Sequence, residues 1–435
     1  MYDILLKHLE QRKEPIDVIV VGVGFMGFGF LSFLQKMKGI RIPLVISRRP
    51  VETRLLLKNS GINVVSEDIQ STAQIREYAD KGSICVSDDL SLLKKYENAV
   101  VLEMTGTIDY GTEASLIALK SRKHVVTMNP ELEVTVGSEL KVIADAHNVT
   151  ISDVYGDQPG SLSRLIAQAR LMGFKVLMAG NMKRYLDLHA TQEQMAPWAK
   201  DKGLAVRQTT SFTDGTKQSI EMDLVGNYFG MKVLKRGMVG PEVSDVKEVL
   251  TKFDWDNLPR EGVVDYVIGK NLFPGIFVVV EHTDPNQKKY LRYLGLGEGP
   301  RYVLFEPYHL CHLEVLQTVV KVALFGQETI NNSLNPINRT IAIAKQDLFA
   351  GQRLDGIGGD TVYGMVDSIE NSEGLLPVGL SHHALVKHDI KKDTPIKVSD
   401  VVLPITIATR LTGYTKPQHR FQPVNSFFTR MINLF

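Results

Sequence analysis

Asp17-Val18-Ile19-Val20-Val21 is a short β-branched run that reads as a buried strand, and Phe28-Gly29-Phe30-Leu31-Ser32-Phe33-Leu34 reads as an apolar helix. The alternation continues to about residue 180. Strands are expected at Leu44–Arg49, Ile84–Ser87, Ala99–Met104, His124–Met128, Val149–Asp153 and Lys175–Ala179. Helical patterns fill Asp88–Tyr96, Gly111–Arg122 and Gly137–His147 between them. This rhythm predicts a parallel sheet with helices on both faces. Asn63–Lys81, charged and helical in pattern, is expected as a surface insertion. Met1–Pro15 reads as a short lead-in helix without the apolar core of a signal peptide. Val18–Leu34 carries no charge, but it holds four glycines and falls short of the roughly 20 apolar residues of a membrane span.

Between the first strand and the first apolar helix stands Gly22-Val23-Gly24-Phe25-Met26-Gly27. A GxGxxG in that context is the dinucleotide-binding fingerprint: a tight turn, a close approach of pyrophosphate to backbone, and close helix–strand packing. The pyrophosphate would rest on free N–H groups at the helix start. The second strand ends in Ser47-Arg48-Arg49, where NAD-binding chains carry an acid for the ribose hydroxyl. Two guanidiniums suit a 2′-phosphate, so NADP(H) is the expected cofactor, with a solvated loop pair as the alternative.

Composition narrows the class. The 435 residues suggest about two or three domains, 44% are hydrophobic, and a net charge of +1 offers no reason to expect nucleic acid or a membrane surface. Cys85 and Cys311, the two cysteines, cannot build a disulfide framework, and a reducing cytoplasm is the expected compartment.

Residues 155–335 are less regular and hold polar clusters at expected element ends; 336–411 reads as a small β-rich module with glycine-rich turns, including short strands at 377–380 and 389–393. Thr105-Gly106 ends a strand on the side where ligands of open α/β sheets bind, and Glu103 is either a site group or a strand-end carboxylate. Asn181-Met182-Lys183 lies just past an expected strand end, where a lysine can stabilise an oxyanion or hold a phosphate. Lys217 and Glu221 share a helix face at i, i+4 beside Asp214 and Thr216, as a substrate grip or as an ordinary ion pair. Tyr308 and His309 are expected to pack or touch substrate; His309, His312 and Glu314 form no complete ligand set, so no metal is expected. Ser161 lacks a GxSxG elbow, which argues against a hydrolase.

In order, Gly22–Gly27, Glu103-Met104-Thr105-Gly106, Met128-Asn129-Pro130-Glu131, Gly156-Asp157-Gln158-Pro159-Gly160, Ala179-Gly180-Asn181-Met182-Lys183, Asp347-Leu348-Phe349-Ala350-Gly351 and Leu354-Asp355-Gly356-Ile357-Gly358 resemble the homoserine dehydrogenase-like oxidoreductases with a C-terminal SAF domain. One branch of that group is the DXR-like, or type II, 1-deoxy-D-xylulose 5-phosphate reductoisomerase. Homoserine dehydrogenases carry an Asn-Lys pair where this chain has Asn129-Pro130-Glu131, which counts against that enzyme itself. The resemblance implies an α/β architecture: a Rossmann doubly wound parallel sheet (1–155), a central α+β catalytic and dimerisation domain (156–335), a β-rich SAF-like module (336–411) and a tail (412–435).

The expected function is NADPH-dependent reduction of a carbonyl on a small phosphorylated or polyhydroxylated substrate, with or without a preceding isomerisation, in a homodimer. Lys183, Lys217, Glu221 and Asn181 are the expected catalytic residues. Gly22, Gly24, Phe25, Met26, Gly27, Ser47, Arg48, Arg49, Thr105, Gly106 and Asn129 would bind cofactor, and Asp214, Thr216, Tyr308 and His309 substrate. A plain dehydrogenase and a non-catalytic NADP-dependent carbohydrate sensor are the alternatives.

Overall fold

The computed structural model describes residues 2–34, 37–69 and 71–415. The expected tail therefore lies almost wholly outside the described residues. No described helix is long and apolar enough to cross a membrane.

The first half alternates as its hydrophobic pattern requires. In chain order it runs α1 (Tyr2–Gln11), β1 (Ile16–Val21), α2 (Phe25–Leu34), β2 (Ile40–Arg41), β3 (Leu44–Ile46), α3 (Pro50–Asn59), α4 (Thr72–Asp80), β4 (Cys85–Ser87), α5 (Ser91–Lys95), β5 (Ala99–Glu103), α6 (Ile108–Lys120), β6 (Val125–Thr127), α7 (Pro130–Ala146) and β7 (Ile151–Asp153). The strands form one parallel sheet in the order β4-β3-β1-β5-β6-β7, with β2 alongside β1. With β2 set aside, this is the doubly wound order 3-2-1-4-5-6, whose ligands bind at the carboxyl edge where the strand order reverses. Here that point lies between β1 and β5. Every residue of β1 is buried, as a strand covered by helices on both faces demands.

The stretch 63–81 is more than a surface insertion. Val64 bridges Ile84, and Ile75 and Ala79 of α4 are buried beside β4. The charges that suggested an insertion occupy the outer face of an amphipathic helix.

The second half continues with α8 (Gln158–Leu171), β8 (Lys175–Lys183), α9 (Gln192–Lys202), α10 (Val206–Thr213), α11 (Thr216–Phe229), β9 (Val263–Ile268), β10 (Ile276–Glu281), α12 (Pro285–Tyr293), β11 (Arg301–Glu306) and α13 (Cys311–Phe325). Its sheet has the order β11-β10-β8-β9. Period-2 alternation divides its side chains cleanly. Ile276, Val278 and Val280 pack with Leu162 and Ile166 of α8 and Met222 and Val225 of α11, whereas Phe277 and Val279 pack on the other face with Val246, Val249 and Trp255.

Beyond these lie β12 (Asn338–Ala344) and β13 (Val362–Ser368), an antiparallel pair, and β14 (Leu385–Val386) with β15 (Val401–Val402), followed by α14 (Ile407–Leu411). The strand expected at 377–380 is instead a 3₁₀ turn at Val378–Leu380, and 389–393 contributes only the single bridge Leu348–Ile390. This β-rich part is fastened to α11. Asp223 Oδ2 accepts from the Thr340 amide at 2.6 Å and its hydroxyl at 2.8 Å, Asn227 Oδ1 accepts from the amides of Ile337 and Asn338, and Thr216 Oγ1 accepts from Gly364 N at 2.8 Å. Lys345 and Asp214 form a buried ion pair at 2.7 Å. Removing one partner of such a pair typically costs about 3–5 kcal/mol, because the other charge stays buried.

Candidate active site

The glycine turn has the shape the fingerprint requires. Gly22 has φ +93°, and a Cβ there would lie 2.8 Å from Thr105 Cα. A Cβ on Gly27 would lie 2.9 Å from the Gly22 carbonyl oxygen, so that position joins helix to strand. At Gly24 a Cβ would meet nothing within 4 Å. That backbone is open to a phosphate group at the start of α2, so the residues present fit a dinucleotide. Phe25 beside the turn is 56% exposed, and Met26 is half-buried. At the end of β3, Ser47 Oγ accepts from Thr53 Oγ1 and from the Arg49 amide, shaping the turn into α3. The Arg48 and Arg49 side chains are exposed there, and Arg48 stands 5.1 Å from the centre of the Tyr110 ring.

Two expected cofactor contacts are occupied by the scaffold. Asn129 is fully buried and caps α7, its Oδ1 accepting from Leu132 N and its Nδ2 donating to the Thr107 carbonyl. The Thr105 hydroxyl and amide both donate to Glu103 Oε1, and Thr127 donates to Oε2 at 2.8 Å. Glu103 is thus a buried brace across β5 and β6 whose carboxyl burial pushes upward, against those hydrogen bonds. Gly106, at φ +62°, continues the turn.

The expected catalytic residues converge. β8 runs on through Lys183, so Asn181 and Lys183 lie within the strand and, two apart, on one face. Asn181 Nδ2 donates to Gln158 Oε1 and to Glu221 Oε2, each at 2.8 Å. Lys183 Nζ lies 3.9 Å from Glu221 Oε2. Lys217 and Glu221 do more than face each other along the helix: Lys217 Nζ reaches across to Glu131 at 3.4 Å and Asp157 at 3.6 Å. Four elements therefore meet: β8, the first two turns of α11, and the starts of α7 and α8. Asp157 caps α8 through the Gln158 amide.

Burial dominates the electrostatics of the Lys183–Glu221 pair. It lowers the Lys183 ammonium from its ordinary value, with Glu221 opposing, and lifts the Glu221 carboxyl to about 7 against the pull of Lys183 and Lys217. For Lys217, burial acts downward, but Asp157, Glu131, Glu221 and Asp153 together outweigh it and hold the ammonium above its ordinary range. Asn181 Oδ1 and Gln218 Nε2 are buried without partners, and their two amides are neighbours, Asn181 Nδ2 lying 3.4 Å from Gln218 Oε1. Unpaired buried amide atoms are uncommon in folded proteins and costly.

Asp214 and Thr216 lie apart from this cluster. Asp214 is taken up by Lys345 and the Thr216 amide, and Thr216 by Gly364, so both anchor the start of α11 where substrate contact was expected. Tyr308 is 58% exposed. His309 Nδ1 and Cys311 Sγ both bond the Gly156 carbonyl, at 2.8 and 3.0 Å. Asp157, His309 and Cys311 bring potential ligand atoms within 4.8 Å of one another, a grouping that spacing along the chain does not reveal. The Lys217 ammonium beside Asp157 and burial of the Cys311 thiol, which raises it well above its ordinary value, both oppose a cation there. Glu131, Asp157, Gln158 and Gln218 were absent from the expected set. Glu131, Asp157 and Gln158 did stand in two of the blocks that carry the resemblance, just after β6 and β7, whereas Gln218 had only its place beside Lys217.

A cavity of about 600 Å³ opens at the opposite edge of the parallel sheet, lined by Arg12, Asp17, Arg41, Arg76 and Arg122. Arg41 is committed there to Asp17 and Asp80, and ligands of open α/β sheets bind at the other, carboxyl edge.

Residues 156–315 match the family described as oxidoreductase DRL, catalytic domain. Homoserine dehydrogenase of Lactococcus lactis is 21% identical over 255 residues, which make up 55% of this chain and 57% of that protein. The match thus spans little more than half of that relative's length. Among solved structures, apo scyllo-inositol dehydrogenase from Lactobacillus casei aligns with a TM-score of 0.44 at 11% identity, over 73% of this chain and 90% of its own. Myo-inositol 2-dehydrogenase from Lactobacillus plantarum aligns with a TM-score of 0.41 at 11% identity, over 72% and 91%.

Proposed function

We propose that the chain is an NADPH-dependent oxidoreductase that reduces a carbonyl group on a small polyhydroxylated substrate, free or phosphorylated. The observation that carries the reading is the largely buried Lys183 side chain, which shares Glu221 Oε2 with Asn181, and the neighbouring amides of Asn181 and Gln218 with one unpartnered atom each. A substrate hydroxyl can donate to Asn181 Oδ1 and accept from Gln218 Nε2, while Lys183 stabilises the oxygen that gains charge as its carbonyl is reduced. Lys217, held between Glu131 and Asp157, orients a second polar group. The match of 156–315 to an oxidoreductase catalytic domain supports the reaction class.

NADP(H), when bound, supplies the hydride. The turn Gly22–Gly27 would hold its pyrophosphate, and Ser47, Arg48 and Arg49 its 2′-phosphate. NADPH should then bind at least about tenfold tighter than NADH, about 1.4 kcal/mol. Replacing both arginines by alanine should remove that preference and leave NADH affinity unchanged. Fluorescence titration of both cofactors tests this; equal affinities in the unaltered protein would end the assignment.

A skeletal rearrangement before reduction is the reading the resemblance to reductoisomerases adds. NADPH oxidation with candidate polyols, followed by NMR of the product, separates rearrangement from simple reduction and an enzyme from a sensor. The proposal takes the three regions as domains with boundaries near 155 and 335, the last SAF-like, in a cytoplasmic homodimer.

A further inference from the structure

We infer that Lys345, in the β-rich part of the chain, is a positioning residue that sets where Lys183 and Lys217 stand relative to each other. The inference rests on the active-site reading above. Lys345 is 3% exposed, and its ammonium donates three bonds: to Asp214 Oδ2 at 2.7 Å, to the Ala190 carbonyl at 2.9 Å and to the Gly359 carbonyl at 2.7 Å.

Each acceptor belongs to a different limb of the site. Asp214 stands at the start of α11, where its other oxygen accepts from the Thr216 amide at 2.9 Å. The residue after Thr216 is Lys217. Ala190 lies on the chain that leaves β8 after Lys183. Gly359 belongs to the turn that carries Asp360, which accepts from the Gln192 amide at 2.7 Å at the start of α9. One ammonium therefore ties the exit from β8, the entry to α11 and the β-rich turn.

Gly215 precedes α11 at φ +79° and offers no side chain to cap it, so the position of that helix start falls to Asp214 and Thr216. Farther along, Asp223 and Asn227 join Thr216 in binding the β12–β13 region, while Lys217, Gln218 and Glu221 serve the site. The helix is thus stitched to the β-rich part on one side and catalytic on the other. The β-rich part is accordingly a component of the active-site frame.

The test uses the full chain with two variants, Lys345→Met and Lys345→Met combined with Asp214→Asn. The second leaves no unpaired buried carboxylate and keeps an acceptor for the Thr216 amide. Competitive acetylation with acetic anhydride, mapped by peptide mass spectrometry, reports the reactivity of Lys183 and Lys217 against the exposed Lys58. In the variant that melts cooperatively, the reactivity of Lys183 or Lys217 relative to Lys58 should change at least about threefold, the size of half a pH unit in an amine's titration. Amides of 216–221 should exchange faster, while NADPH affinity holds within about twofold.

Wild-type lysine reactivity in a cooperatively folded variant would overturn the inference. So would an equal loss of NADPH binding, or loss of cooperative melting in both variants, since Lys345 would then support the whole fold. Altered labelling together with normal turnover in Lys183→Met would leave the positioning intact and refute the active-site reading instead.

Discussion

Replacing Lys183 with methionine is expected to lower turnover by about 10²–10³, the usual consequence of losing one donor to a developing oxyanion. Methionine keeps the length of the side chain and removes its charge. Cofactor affinity should barely change, because the glycine turn and the end of β3 lie on other elements. Melting temperature should change little. The ammonium lies 3.9 Å from Glu221, and burial already disfavours its charge. The same assay carries a pH signature. Glu221 titrates near 7, and only its ionised form offers Lys183 a counter-charge. Turnover should therefore rise through neutral pH in the unaltered enzyme, and this limb should vanish in Glu221→Gln. Normal turnover in Lys183→Met would refute its role, and weakened NADPH binding with unchanged chemistry would move the residue to the cofactor site.

The second large effect is on stability. Glu133 of α7 is fully buried, with Oε2 accepting from the Asn332 amide at 3.3 Å and Oε1 unpartnered. Burial raises its carboxyl from the ordinary 4.5 to about 8, with Glu103 adding to the rise. For an acid raised in the folded state, the native protein holds the proton more tightly than the unfolded chain does. Its contribution is complete below about 4.5 and is lost progressively as pH rises toward 8. Glu133→Gln keeps the shape and an acceptor for Asn332 without a proton to lose. At pH 8.5 it should be more stable than the unaltered protein by about 2–4 kcal/mol, taking about 1.4 kcal/mol for each tenfold change in proton affinity between the folded and unfolded chain and discounting for relaxation. Near pH 5 the two should match. Urea unfolding at both pH values measures this, and equal differences at the two would show that Glu133 does not titrate between them.

The parallel sheet and its ligand edge were legible in the chain because both arise from local pattern. A β-branched run, a glycine turn and an apolar helix specify β1, the turn and α2 with neighbours in sequence alone, and the same holds for the alternation through β7. The pairing of Asn181 with Lys183 was visible for that reason too. What the local pattern could not carry was the partner of each charge. Lys217 and Glu221 sit one helical turn apart, yet each binds a group from elsewhere: Lys217 to Glu131 and Asp157, Glu221 to Asn181 and Lys183. Asp214 and Thr216 look like site residues by proximity to Lys217, but Asp214 precedes α11 and pairs with Lys345, and Thr216, about 100° round the helix from Lys217, faces the β-rich strands. Asn129 and Glu103 were drawn inward as caps and braces, since buried backbone and side-chain polar groups must find partners. Sequence by itself determined the alternating strands and turns of the parallel sheet and the carboxyl edge at which the candidate site lies, while the short strands expected at 377–380 and 389–393 did not form. Only the packing of α7, α8 and α11 against β8 decided which side chains share that site, because ion pairing acts through space between elements that are distant in the chain.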